Sequence, residues 1–178
     1  MGLKLNGKRW LRRCLLKAGY DISMVSTRVH SPPRRWQLLD GVDLVLDIGA
    51  NTGQFATGLR VDLDYQRRIV SFEPLSSAYS RLQADAAGDP NWEVHNIALG
   101  DCAMQREINI AGNSYSSSLL EMLPAHLKSA PQSQYVGKET IEIRTLDSLF
   151  DAVCKSASSV YMKIDTQGFE CKVLEGAR

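Results

Sequence analysis

From residue 43 onward, the chain alternates between short apolar runs and segments whose apolar residues recur at helical spacing. Four apolar runs are typical of buried strands, at Asp43–Ile48, Arg68–Phe72, Trp92–Ile97 and Val160–Ile164. Helical spacing follows three of them, in Thr52–Val61, from Leu75 to Leu82 and from Phe169 to Leu174. Repeated strand–helix units predict an α/β fold, with a mainly parallel sheet covered by helices on both faces.

Between the third and fourth runs the pattern changes. Arg106–Ile110 and Glu139–Arg144 alternate polar and apolar residues, which predicts half-exposed strands, arranged as a small antiparallel insertion. The stretch 112–118 between them is rich in Ser, Asn and Gly. It is interpreted equally well as a flexible loop near the mouth of a site or as a solvated surface loop.

The first 39 residues differ in charge from the rest and form a separate basic helical segment with a linker. They carry nine Lys or Arg and one acid, whereas residues 40–178 carry twelve Lys or Arg and nineteen acids. Apolar residues recur at helical spacing within Gly7–Tyr20. We favour a helix that packs on the domain, with weak contact to an anionic membrane surface as the alternative.

Composition excludes several classes of protein. With 178 residues, 44% hydrophobic and 23% charged, the chain can form one packed domain, at residues 40–178. No run of about 18 apolar residues is present to span a bilayer. The net charge of +1 argues against a nucleic-acid partner. Four widely spaced cysteines, without a C-x-x-C pair or another metal-ligand cluster, predict free thiols, a cytoplasmic location and metal-independent chemistry.

The segment LVLDIGANTGQF, at residues 44–55, is the most informative for ligand binding. A predicted buried strand continues through Gly49 and Gly53 into a helix, whose N-terminus offers N–H groups to a polar or anionic ligand. The spacing is G-x-N-x-G, and it differs from the G-x-G-x-x-G of dinucleotide-binding folds. By itself the segment also fits an ordinary strand-to-helix turn.

Two carboxylates indicate which ligand the turn would bind. Asp47 would repel a pyrophosphate, but it could receive an ammonium group or order water beside one. Glu73 closes the second predicted strand, twenty residues after Gly53, where a carboxylate can accept both ribose hydroxyls. Together they fit S-adenosylmethionine, with its amino-acid moiety at the glycine loop and its ribose at Glu73.

The chain from Val42 onward resembles the FkbM-type S-adenosylmethionine-dependent methyltransferases, which are class I methyltransferases. The resemblance rests on VLDIGANTGQF, IVSFEP, HNIALGD, IEIRTLDSLF and YMKIDTQGFECKVLEGA, in that order. It implies a Rossmann-like fold and O-methylation of a hydroxyl on a sugar or natural product. It also implies cofactor contacts at Asp47, Gly49, Asn51, Gly53 and Glu73, and backbone beside the adenine at Ala98.

Catalytic candidates lie at the end of the fourth predicted strand. Asp165 is our candidate for the general base or for the group that orients the acceptor, and capping of the following helix is its alternative. Glu170 binds the acceptor or complements the helix dipole, and the sequence favours neither. Lys163 alternates onto the same side as Asp165, and pairing with a carboxylate is its simplest role. His95 is predicted to be structural.

The sequence therefore predicts a methyltransferase that moves the methyl group of S-adenosylmethionine to a hydroxyl of a sugar, glycan or other small natural product. The alternative is a non-catalytic S-adenosylmethionine-binding or interaction module, which would need Glu73 but no base at Asp165. An NAD-dependent oxidoreductase is disfavoured by the glycine spacing. Acceptor specificity is expected in residues 103–140 and in the N-terminal segment.

The number of predicted strands leads to one further expectation. A class I methyltransferase sheet continues beyond the helix that follows Asp165, whereas this sequence stops at Arg178. We expect a C-terminally incomplete domain that lacks its last strands and is weak or inactive alone. The edge of the strand at 160–164 would then be unpaired and open to association between copies, unless a partner or the N-terminal helix covers it.

Overall fold

The structure, a computed structural model, describes residues 39–112, 117–119, 134–154 and 157–178. The predicted helix at 7–20 and its membrane contact lie outside these ranges. The strands are β1 (Leu44–Ile48), β2 (Arg68–Phe72), β3 (Trp92–His95), β4 (Ala98–Leu99), β5 (Met104–Ala111), β6 (Tyr135–Arg144) and β7 (Val160–Ile164). The helices are α1 (Gln54–Asp62), α2 (Ser76–Ala86), α3 (Leu146–Cys154) and α4 (Glu170–Glu175).

The main sheet has the order β3-β2-β1-β7, and all its pairings are parallel. Because side chains alternate along a strand, β1 places Val45 on one face and Leu46 on the other. Val45 packs in a cluster with Leu59 of α1 and Leu82 of α2, whereas Leu46 packs in a cluster with residues of α3 and α4. Helices cover both faces, as the sequence predicted, and the sheet is that of an α/β Rossmann-like fold.

The insertion forms a second sheet of order β4-β6-β5. The predicted antiparallel pair is confirmed, since Arg106 of β5 lies opposite Ile141 of β6. Both strands extend beyond the predicted bounds. β4 pairs with β6 in parallel, so this sheet is mixed.

One local prediction is wrong, and one helix was not predicted. The third strand ends at His95 and does not reach Ile97. Asn96 instead turns its side chain toward the β2 strand end, where Nδ2 donates to the carbonyl oxygens of Glu73 and Pro74 at 2.9 Å each. The chain then enters the second sheet at Ala98. In addition, α3 did not appear among the predicted helices.

Candidate functional site

The glycine loop that follows β1 is held tightly against its neighbours. Gly49 has a φ of +73°, and a Cβ there would overlap the carbonyl oxygen of Asp165 at the end of β7. Gly53 has a φ of +84°, and a Cβ there would lie 3.0 Å from the Leu82 side chain of α2. The N–H groups of Gly49 and Ala50 both donate to the Phe72 carbonyl at 3.0 Å. The glycines thus allow the loop to lie close to β7, to α2 and to the end of β2.

The Glu73 carboxylate lies beside this loop, at the end of β2, and its residue is only 6% exposed. The backbone N–H of Asn51 donates to Oε2 at 2.8 Å, and that of Leu75 donates to Oε1 at 3.0 Å. Burial raises the pKa of Glu73, and these two donors counteract part of that rise. A carboxylate oxygen can accept more than one hydrogen bond, so Glu73 keeps acceptor capacity toward a ligand.

A cavity of about 350 Å³ opens at the carboxyl ends of the parallel strands, where ligands bind in open α/β sheets. Five of the predicted site residues line it, namely Gly49, Asn51, Glu73, Ala98 and Asp165. The second sheet contributes apolar walls through Ile108 and Ile141. Ser117 and Leu119, from the stretch between β5 and β6, also line the cavity. Ser117 belongs to the stretch 112–118, and its position fits the first of the two interpretations of that stretch, a loop near the mouth of a site.

Three predicted site residues are not among those that line the cavity: Asp47, Gly53 and Glu170. Asp47 is fully buried, and its Oδ1 lies 3.0 Å from Lys163 Nζ. Burial raises the pKa of Asp47, and the Lys163 ammonium opposes this rise. Lys163 pairs with a carboxylate, as the sequence indicated.

The Glu170 carboxylate accepts hydrogen bonds from the backbone of the loop between β7 and α4. It accepts the N–H groups of Thr166, at 3.1 Å, and Gly168, at 3.0 Å. Burial by itself would raise the pKa of Glu170, but the donated hydrogen bonds outweigh it and the pKa is lowered. Glu170 therefore holds the backbone of this loop.

Asp165 lines the cavity at the end of β7, and its side chain is 59% exposed. Its Oδ1 accepts a hydrogen bond from Gln167 Nε2 at 3.0 Å, and its Oδ2 lies 3.9 Å from Lys163 Nζ. The loop N–H groups that a capping carboxylate would bind donate to Glu170 instead. The geometry therefore leaves Asp165 accessible to a ligand in the cavity.

The sequence did not indicate how much Lys163 and Asn96 contribute to the site. Lys163 Nζ donates to the Gly49 carbonyl at 2.8 Å and lies 5.8 Å from the centre of the Phe55 ring. Asn96 fixes the turn after Glu73. The sequence signal for Asn96 was its polar side chain near the end of the third predicted strand. His95 stacks on Phe72, with centroids 5.2 Å apart, and pairs with Glu93, as expected of a structural histidine.

Metal-ligand clusters and membrane-spanning helices are absent from the described ranges. In this part of the chain, no group of three or more His, Cys, Asp or Glu residues could hold a metal ion. None of the helices in the same ranges could span a bilayer. The described cysteines, Cys102, Cys154 and Cys171, are free thiols.

Comparison with known proteins identifies the family. The chain matches the methyltransferase FkbM domain over residues 47–178. It is also similar to the crystal structure of methyltransferase FkbM from Methylobacillus flagellatus KT, with a TM-score of 0.47 and 17% sequence identity. That alignment covers 76% of this chain and 29% of the other, so the chain spans less than a third of that structure's length. A comparison with curated proteins gave no match. On the match over residues 47–178, the chain belongs to the methyltransferase FkbM domain family and has the class I methyltransferase fold.

Proposed function

We propose that the protein is an S-adenosylmethionine-dependent O-methyltransferase that acts on a hydroxyl of a sugar, glycan or other small natural product. One observation carries the proposal. Glu73 and Asp165 come from β2 and β7, the two strands that flank β1, and both line the same cavity as the Gly49 loop. A ribose-binding acid and a candidate base therefore share one chamber of ligand size.

The residues present fit S-adenosylmethionine. Glu73 offers buried acceptor oxygens suited to ribose hydroxyls. Leu75, Ile97 and Ala98 line the same cavity and offer apolar contacts suited to an adenine ring. When bound, this cofactor supplies an electrophilic methyl group on a sulfonium. The free thiols support a reducing compartment, and we place the protein in the cytoplasm.

The chain's own residues would act mainly by holding the acceptor and its proton. Asp165 is exposed enough to accept the proton of an acceptor hydroxyl as the oxygen attacks. The walls from the second sheet and from Ser117 and Leu119 would shield that position from water and orient the acceptor. Acceptor specificity would therefore depend on the insertion.

Thermal melting with added ligands tests the cofactor. S-adenosylmethionine and its demethylated product, S-adenosylhomocysteine, should each raise the melting temperature with concentration, because both bind the folded state. NAD should leave the melting temperature unchanged. Equal stabilisation by NAD, or no stabilisation by either sulfur compound, would contradict the proposal.

Incubation with methyl-labelled S-adenosylmethionine and small-molecule or glycan extracts tests the reaction. Mass spectrometry should find the label on a hydroxyl oxygen of the acceptor. Tight binding without label transfer to any extract would instead favour the non-catalytic binding module.

A further inference from the structure

Lys163 lies between the cofactor loop and the candidate base, and it contacts both. Its ammonium is 3.0 Å from Asp47 Oδ1, donates to the Gly49 carbonyl at 2.8 Å and lies 3.9 Å from Asp165 Oδ2. The side chain is 20% exposed and lines the cavity. A lysine ammonium has three donors, so it can serve several oxygens at once.

The strand register explains why these groups meet. Asp47 of β1 and Lys163 of β7 are direct partners in the parallel pairing. Because side chains alternate along a strand, Asp165 lies two residues beyond Lys163 on the same side. The ammonium is thus placed where three oxygen groups converge, at the end of the sheet that holds the cavity.

Asp47 needs a cation because it is fully buried. From the sequence, the expected cation was an ammonium group of the ligand. In the structure Lys163 fills that role, and Asp47 is not among the residues that line the cavity. Because the Asp47 carboxylate is fully buried beside Lys163, removing Lys163 alone would leave that carboxylate without a compensating charge.

We propose that Lys163 is a positioning residue of the cofactor site, which neutralises Asp47 and also holds the Gly49 carbonyl in place at the cavity wall. The proposal rests on the proposed function and goes beyond it. Asp47 then acts on the site through Lys163, and Lys163 links the glycine loop to the neighbourhood of Asp165.

The competing explanation is that Lys163 does no more than neutralise Asp47. The two explanations are separated in the Asp47→Asn variant, where the Asp47 charge that Lys163 neutralises is absent. Asp47→Asn/Lys163→Met leaves no buried charge unpaired, so both proteins should fold, and their melting temperatures should be similar. The single Lys163→Met variant is avoided as the principal test because it leaves Asp47 without its partner.

Titration calorimetry with S-adenosylhomocysteine measures the difference. We expect Asp47→Asn/Lys163→Met to bind about tenfold more weakly than Asp47→Asn, the scale for losing one hydrogen bond from a charged donor. Asp47→Asn/Lys163→Arg, which keeps a charged donor, should recover part of that loss. Equal affinity of Asp47→Asn and Asp47→Asn/Lys163→Met at equal melting temperature would overturn the proposal.

A matched control is the exposed ion pair between Lys138 and Glu107, at 3.2 Å, with side chains that are 60% and 63% exposed. Glu107→Gln/Lys138→Met should bind S-adenosylhomocysteine as the unmodified chain does. If the unmodified chain binds neither S-adenosylmethionine nor S-adenosylhomocysteine, the proposed function itself fails. If the unmodified chain binds S-adenosylhomocysteine, but Asp47→Asn and Asp47→Asn/Lys163→Met bind it equally well, the positioning role of Lys163 alone fails.

Discussion

At the scale of single residues, the Glu73 carboxylate has two structural partners and one proposed ligand. Its oxygens hold the N–H groups of Asn51 and Leu75, which shape the cavity on either side of it. Removing the side chain therefore removes the acceptor of two backbone N–H groups as well as the proposed ribose acceptor.

We predict that Glu73→Ala weakens S-adenosylhomocysteine binding by about 1.5–3 kcal/mol, the scale for hydrogen bonds to a charged acceptor. Titration calorimetry measures the change. Glu142→Ala, which removes an exposed carboxylate paired with Arg144 on β6, is the control and should bind normally. An unchanged affinity in Glu73→Ala would remove Glu73 from the site.

For Asp165 we predict a loss of turnover without a loss of cofactor affinity. Asp165→Asn keeps the shape of the side chain but cannot take a proton, so label transfer should fall by about 100-fold while S-adenosylhomocysteine binding is retained. Asp151→Asn, at an exposed position on α3, is the matched control. Full turnover in Asp165→Asn would show that the reaction needs no carboxylate there.

Residue positions at the site were predictable to different degrees. Glu73 and Asp165 follow apolar strand sequences directly, and parallel strands end at the same sheet edge, so their shared cavity could be expected. The partner of Asp47 could not be identified in the same way. It depends on β7 lying beside β1 with Asp47 opposite Lys163, and these strands are more than 100 residues apart in sequence.

At the scale of elements, Asp43 ties the start of β1 to the turn before β7. Its Oδ2 accepts the backbone N–H of Ser158 at 3.0 Å and the Ser158 hydroxyl at 2.7 Å, and its Oδ1 accepts the N–H of Ser159 at 3.0 Å. These hydrogen bonds to Ser158 and Ser159 lower the pKa of Asp43 to about 2. The contact is local to two loop ends, but it helps to align two neighbouring parallel strands.

The lowered pKa predicts a pH dependence of stability. Because the folded pKa lies below the ordinary value of 3.8, the contribution of Asp43 is present above about pH 4. It is lost as the pH falls from about 4 toward the folded value of about 2. Asp43→Asn should therefore lower the free energy of unfolding at pH 7 and reduce the dependence of this free energy on pH between about 4 and 2.

Urea unfolding at several pH values measures both changes, with Asp85→Asn, an exposed position on α2, as the control. If the free energy of unfolding of Asp43→Asn changed with pH as that of the unmodified chain does, the prediction would be wrong.

The elements of the main sheet were predictable because their apolar runs are short and bounded by turn residues. The helix α3 was missed, although Thr145 before it provides a start signal, since its Oγ1 accepts the N–H of Ser148 at 3.1 Å. Apolar residues at Leu146, Leu149 and Val153 follow at helical spacing. β3 ends two residues earlier than predicted, because Asn96 contacts the end of β2. The local sequence pattern does not reveal those contacts.

At the scale of the whole molecule, the two sheets build the cavity together. Ser118, between β5 and β6, donates through Oγ to the carbonyl of Gln167 at 2.9 Å. Glu139 of β6 accepts the N–H of Ser76 at the start of α2 at 3.0 Å. The insertion is thereby tied to both the β7 side and the β2 side of the site, as its proposed role in acceptor binding requires.

The outer edge of the main sheet provides the last prediction. Among the described strands, β7 pairs with β1 alone, so its other edge presents backbone N–H and C=O groups together with Val160, which is 42% exposed. We predict concentration-dependent association between copies through this edge, measured by sedimentation velocity. Val160→Lys should shift the equilibrium toward the monomer, because a charge at a strand edge opposes pairing. Val61→Lys is the control, since Val61 is 44% exposed on α1 and lies at no strand edge. A monomer at every concentration, or equal effects of the two substitutions, would contradict pairing through β7.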